Sequence, residues 1–445
     1  MCGADTVRFH PLTFLDEGEE VVVGRTDIDS YAVLPPDGAD LLRRLTGGEA
    51  PELAAAWYRR THGEDVDVTG FLEAMREFGF VDDGPPDAAG SRPPTPVRWQ
   101  RLGRAAFSPL AWVLYAGLVA AAVMACVADP GLAPRHSHVF FTDSLIVIEL
   151  TILVLQTPLT LVHEWFHVLA GRRLGLNTRI RLSHRFVVVV FETVMDGLVA
   201  VPRRKRYLPM LAGLLADLLV VSAATLLAWA LRGPGQHLPG APTAAAVSLA
   251  VAFTTLPRMA WQGYVFLRTD LYHLVVTVLG CQDLHGAARA RLHNAVAARL
   301  PRRVPARAAW RTPVDETAWG RRDRAAAGWY AWLMVAGYGL AGAVTVLVMI
   351  PLAWRFFATA VDRALLGGAG GTGQLLDSAL ILALNGGQLL LAGWLAVRER
   401  RRRRAPRTRA GTRPGSGPRP GSTDAPSEGH RPDPEPLAVL EGTPA

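Results

Sequence analysis

The sequence predicts an α-helical polytopic membrane protein with about six transmembrane helices and one re-entrant element, preceded by a small N-terminal α+β, winged-helix-like domain. Three observations carry this. Half of the 445 residues are hydrophobic and 19% are charged, but the apolar residues are gathered into runs of bilayer length. The first hundred residues hold 19 acidic and 9 basic side chains, a net of −10, so the remainder carries +18. That positive charge is almost all arginine, since Lys205 is the sole lysine, and it falls on alternate loops.

Residues 1–83 read as the soluble unit. Val21-Val22-Val23 and Tyr31-Ala32-Val33-Leu34 are β-rich runs about a turn-like Arg25-Thr26-Asp27. Amphipathic helices follow at about 37–45, 50–61 and 67–78. Asp67 suits the last N-cap, with Val68, Phe71, Leu72, Met75 and Phe78 on one face. Such a core is too small to enclose a deep pocket of its own. Its acidity disfavours nucleic acid as a partner, because winged helices that bind DNA are usually basic. The Gly84–Val97 stretch has five prolines, and residues 84–100 read as a linker into a membrane domain over 101–398.

Apolar spans are expected at 106–128, 144–166, 207–231, 243–266, 327–354 and 374–397. Loops 129–143, 232–242 and 355–373 carry one, one and two arginines. The opposite loops carry Arg172, Arg173, Arg179, Arg181 and Arg185, then Arg203 to Arg206 with Lys205, then ten arginines between 289 and 324. The positive-inside rule therefore places both termini in the cytoplasm of a multi-pass plasma-membrane protein. No cleavable signal precedes the first hundred residues, which agrees with a cytoplasmic N-terminus. Phe186–Val201 is basic on both flanks and is expected as a buried strand pair or re-entrant segment. Residues 399–445 form a basic tail rich in Pro, Gly, Ser and Thr, expected to be disordered, and its arginines offer contact with anionic lipid. Cys2, Cys126 and Cys281 are far apart and form neither a disulfide framework nor a zinc knuckle.

The chemistry lies in His163-Glu164-Trp165-Phe166-His167. Histidines at i and i+4 project from one helical face and can hold one zinc ion per chain. Glu164 beside them is placed to take a proton from the attacking water and pass it to a leaving amine. Two histidines and a glutamate at the inner end of an apolar span are costly unless they act on something. The bland alternative is an interfacial histidine pair facing headgroups. A third protein ligand is required, and Asp270 and Asp196 compete, with His273 behind them. Asp270 could instead pair with Arg268. Within other spans, Asp217 and Arg258 could support the site, although a pair that simply holds the bundle together is the plainer reading. Gln156 and Glu149 lie near the helical face of His163.

His163–His167 with Val168-Leu169-Ala170-Gly171-Arg172-Arg173-Leu174-Gly175 resembles the zinc helix of the site-2 protease superfamily, closest to its bacterial putative peptide zinc metalloprotease branch. That branch completes its site with an aspartate in an Arg-x-Asp-Gly-Tyr-Tyr-like motif. Arg268-Thr269-Asp270-Leu271-Tyr272 is similar, with Leu271 for glycine and His273 for the second tyrosine. Ala212-Gly213-Leu214-Leu215-Ala216-Asp217 resembles the family's small-residue span. The resemblance covers about 140–285 and implies a zinc metalloendopeptidase in a bacterial membrane, with a re-entrant β element after the zinc helix. The N-terminal unit resembles the PqqD-like peptide-binding domain, an ordinary winged helix being the alternative. That resemblance implies a leader peptide added to the sheet edge at 21–34 and packed on helix 67–78. The expected function is peptide-bond hydrolysis during maturation of a ribosomally made, modified peptide. The alternative is a non-catalytic membrane scaffold that docks peptides for an exporter or modifying enzyme.

Overall fold

Three short antiparallel strands open the chain: β1 (Thr13–Asp16), β2 (Val21–Arg25) and β3 (Ser30–Leu34). The computed structural model describes residues 6–18, 20–28, 30–84, 97–185, 188–232, 239–299 and 312–351, scattered helical positions between 354 and 398, and 439–440. Val22 pairs with both Leu15 and Val33, which sends alternate side chains to opposite faces. Val21, Val23, Ala32 and Leu34 form a core with Leu42 of α1 (Pro36–Thr46), Met75 of α3 (Val68–Glu77) and Phe80. The helix between them, α2 (Pro51–His62), adds Ala54 and Tyr58 against Leu41, Leu45 and Leu72. A proline starts α1 and α2, and Gly63 ends α2 at φ 77°, where a side chain would be strained. Asp67 caps α3, accepting from the Gly70 N–H at 3.0 Å. The Tyr58 hydroxyl donates to Asp37, and burial together with that carboxylate pushes its pKa up to about 12.

Sequence reading missed β1, whose four residues Thr-Phe-Leu-Asp are too short and mixed to show a period. It also missed β6 (Val439–Leu440), which extends the sheet antiparallel to β3, with Ala32 opposite Val439 and Tyr31 opposite Leu440. The rest of the expected tail, and 85–96 of the expected linker, lie outside the described residues.

Among the described residues, five helices are long and apolar enough to cross a membrane, which suggests a membrane protein. After α4 (Gln100–Ala106) come α5 (Pro109–Ala128) and α6 (Leu145–Arg173). Next are α7 (Arg203–Arg232) and α8 (Ala241–Trp261). The short α9 (Asp270–Leu279) and α10 (Leu284–Arg299) precede α11 (Arg321–Val344), which runs on as a π turn to Met349. The sixth expected span, 374–397, is helical at its described positions, and its other residues lie outside the description.

Two expectations shift. The strand pair placed at 186–201 begins earlier, with β4 (Asn177–Arg185) antiparallel to β5 (Val188–Asp196). Arginines alternate with Ile180 and Leu182 in β4, so no apolar run marked it. The fourth span ends at Trp261, and the chain turns through Val265–Leu267 and Arg268 (φ 59°) before Asp270 opens a helix of its own.

Helix α7 packs against α5, α6, α8 and α9, and its buried Ala212, Gly213 and Ala216 let neighbours approach closely. The second face of the N-terminal sheet rests on this region. Val22 and Tyr31 are buried there, and the Tyr31 hydroxyl stands beside Gly197. Arg206 and Arg203 of α7 donate to Glu17 at 2.6 and 3.3 Å, and Gln282 donates to Glu20 at 3.0 Å.

Candidate metal centre

His163 and His167, one turn apart on α6, are buried with their Nε2 atoms 3.2 Å from each other. Asp270, the first residue of α9, brings Oδ2 to 3.3 Å from His163 Nε2 and 3.2 Å from His167 Nε2. Their donor atoms all lie within 4.8 Å of one another, the spacing of a metal-ligand set. Ligands bound at roughly 2.0–2.1 Å around a tetrahedral zinc stand about 3.3 Å apart, so these residues fit the ion.

The other side of each ring fixes its tautomer. His167 Nδ1 lies 2.7 Å from the Pro209 carbonyl, which can only accept, so Nδ1 donates. His163 Nδ1 lies 3.0 Å from Asp217 Oδ2 and donates to that carboxylate. In the neutral rings both Nε2 atoms then present lone pairs to the centre, joined by a carboxylate oxygen. Acceptors converging in a buried site call for a cation between them.

Asp217 is fully buried on α7 and is held from its far side by Arg258 of α8, at 2.5 Å from Nη2 to Oδ1 and 3.3 Å from Nε to Oδ2. Arg258 Nη1 also donates to Gln156 Oε1 (3.1 Å) and Thr160 Oγ1 (2.9 Å) of α6, and Gln156 Nε2 donates to Thr254 Oγ1 at 2.7 Å. The plain reading of Asp217 and Arg258 as a bundle tie is therefore incomplete, since the tie ends on a histidine of the site. Gly213 passes so close that a Cβ there would overlap both Nε2 atoms.

Glu164 turns toward the hairpin, where Thr193 Oγ1 of β5 donates to its Oε2 at 2.7 Å and lies 3.1 Å from its carbonyl oxygen. Sequence reading passed over Thr193, since a threonine in an apolar strand carries no separate signal. The α9 end is fixed by Gln262, whose Oε1 accepts from the Asp270 N–H (3.2 Å) while its carbonyl accepts from Thr269 Oγ1 (2.6 Å). Among the described residues, the ion-pair partners of Asp270 are the two histidines, and Arg268 is not one of them. Asp196 ends β5 opposite Asn177, and its side chain lies outside the description. His273 lies one turn along α9 from Asp270 and is not in the metal group. Cys281, whose thiol burial and then the Asp323 carboxylate push up to about 12, is not in the metal group.

The chain matches no protein-family model, no curated protein and no solved structure.

Proposed function

We propose that this chain is a zinc metalloendopeptidase of the bacterial plasma membrane, with both termini cytoplasmic, that cuts a ribosomally made peptide during its maturation. The observation that carries the reading is the meeting of His163, His167 and Asp270 beside Glu164, drawn from helices 107 residues apart. Resemblance to the site-2 protease superfamily supports the reaction class. The N-terminal unit supports a peptide substrate, and the pairing of Val439–Leu440 with β3 supports an edge that accepts an extended segment.

When bound, zinc polarises the scissile carbonyl and makes the attacking water more acidic. His163, His167 and Asp270 would hold the ion. Glu164 takes the proton of the water and delivers it to the amide nitrogen as the C–N bond breaks, leaving a carboxylate and an amine. Thr193 holds the Glu164 carboxylate in one orientation through that transfer. Asp217, anchored by Arg258, keeps the His163 ring and its tautomer in place.

The test uses detergent-purified, zinc-loaded protein and a mixed peptide pool, read by mass spectrometry for new termini. Wild type should hold about one zinc per chain and generate cut peptides. Glu164→Gln should keep the zinc and cut nothing, and His163→Ala should lose the zinc. Equal zinc in wild type and His163→Ala, or the same products from wild type and Glu164→Gln, would overturn the assignment.

A further inference from the structure

A cavity of about 230 Å³ lies between the second face of the N-terminal sheet and helices α7 and α9. Its apolar walls come from both halves of the chain: Val22 and Val33 from the sheet, Val199, Met210 of α7 and Val276 of α9. Of the charged groups around it, Glu17 pairs with Arg203 and Arg206, and Glu20 accepts from the neutral side-chain amide of Gln282. What remains for a ligand is chiefly apolar surface. Pockets for whole small molecules span roughly 300–1,000 Å³, so this one is sized for a single side chain.

Its position ties it to the metal centre. Helices α7 and α9 lie side by side in opposite directions. Gly213 is level with the histidines that meet Asp270, Met210 Sδ lies 3.5 Å from Thr277 Oγ1, and Arg203 reaches Gly280. The metal donors form one layer of this interface and the cavity the layers beneath. Asp270 is also the open side of the centre, its side chain 30% exposed against 5% and 4% for the histidines. His273, the next residue on the Asp270 face of α9, is a wall of the cavity.

The geometry points to this cavity as the side-chain subsite of the peptidase, receiving one apolar side chain of a peptide whose scissile bond lies at the metal centre. It rests on the metallopeptidase reading above and extends it to a substrate class: peptides with an aliphatic or aromatic residue next to the cut. Since Val22 and Val33 belong to the N-terminal unit, that unit forms part of the cutting site as well as a docking edge. A chain without it would retain the metal ligands and lack one wall of the subsite.

Short peptide hydroxamates test this, because the hydroxamate ligates zinc and is not cut. Three probes differ only in the adjacent side chain: glycine, leucine or aspartate. Their affinities are measured on the zinc-loaded full chain by direct titration. Leucine should bind at least about tenfold more tightly than glycine, with aspartate weakest. Val33→Phe and Val276→Phe, which fill the cavity from opposite walls, should abolish the leucine preference and keep glycine-probe affinity and zinc content. Equal affinity for leucine and glycine in wild type overturns the subsite and leaves the metal chemistry standing. So does an unchanged leucine preference in both filled variants. No hydroxamate binding at all to zinc-loaded protein overturns the metallopeptidase reading and the subsite with it.

Discussion

His163 Nδ1 and Asp217 Oδ2 stand 3.0 Å apart, and the same carboxylate is gripped from behind by Arg258. One aspartate thus serves a bundle ion pair and a site histidine. Asp217→Asn removes the charge and keeps the shape, so the fold should survive while zinc affinity falls about 10- to 100-fold. Competition against a chelator of known affinity measures it. Unaltered affinity would mean that the carboxylate serves Arg258 alone.

Asp270 and Asp196 differ in what they should do to the metal. Ligation to a dication offsets the desolvation of a carboxylate at a membrane boundary more fully than a hydrated arginine does. Asp270→Ala should weaken zinc binding at least about tenfold and abolish cleavage. Asp196→Ala should fold, keep its metal and lose less activity. Dialysis of both variants beside wild type against a mild chelator decides. Metal loss from Asp196→Ala with retention by Asp270→Ala would reverse the ligand assignment.

Gly213 gives a test that is independent of charge. Alanine favours a helix over glycine by about 1 kcal/mol, so Gly213→Ala should leave helix content intact or improved. Its methyl group would nevertheless overlap both Nε2 atoms and expel the zinc. Gly117→Ala on α5, where the added Cβ meets nothing within 4 Å, is the matched control and should hold metal normally. Zinc content and circular dichroism of the pair separate the two effects.

The arginine asymmetry sets an orientation that labelling can read. Single cysteines at 136 and 237 should react with an impermeant reagent from outside intact cells. Those at 178, 205 and 290 should react only after lysis. External reactivity at 205 would invert α7 and separate the leaflet of His163 from the one proposed for Asp270.

Much of the site was legible because its signals are local. The i, i+4 histidines need only a helix, and Asp270 needs only a return to the same end of the bundle. The role of Thr193 was not legible, and that of Asp217 only in part, since it was offered as a support of the site behind the plainer reading of a bundle tie. An aspartate inside an apolar helix announces a buried partner, and Arg258 sufficed to satisfy it on paper. Nothing in the spacing says that its second oxygen meets an imidazole. The contact of Thr193 with Glu164 depends on how β5 lies across α6, which alternation alone does not fix. In the soluble unit the amphipathic helices were recovered to within one residue at each end. The four-residue β1 lacked enough length to show a period.

Asp377, at a helical position within the sixth expected span, accepts hydrogen bonds from Ser144 Oγ at 2.5 Å and from the backbone N–H groups of Leu145 and Ile146 at 3.2 and 3.1 Å. It thereby closes the far end of the helix that bears both histidines. Residues 145 and 377 are 232 positions apart, which at ribosomal rates of about 5–20 residues per second is roughly 10–50 s of synthesis. Throughout that interval the nascent α6 lacks this clasp, although Ser144 already caps Val147. The ribosome must therefore have reached Asp377 before the helix acquires this anchor. A truncation that spares His163, His167 and Asp270 but stops short of Asp377 would release a protein whose α6 was never held at its Ser144 end.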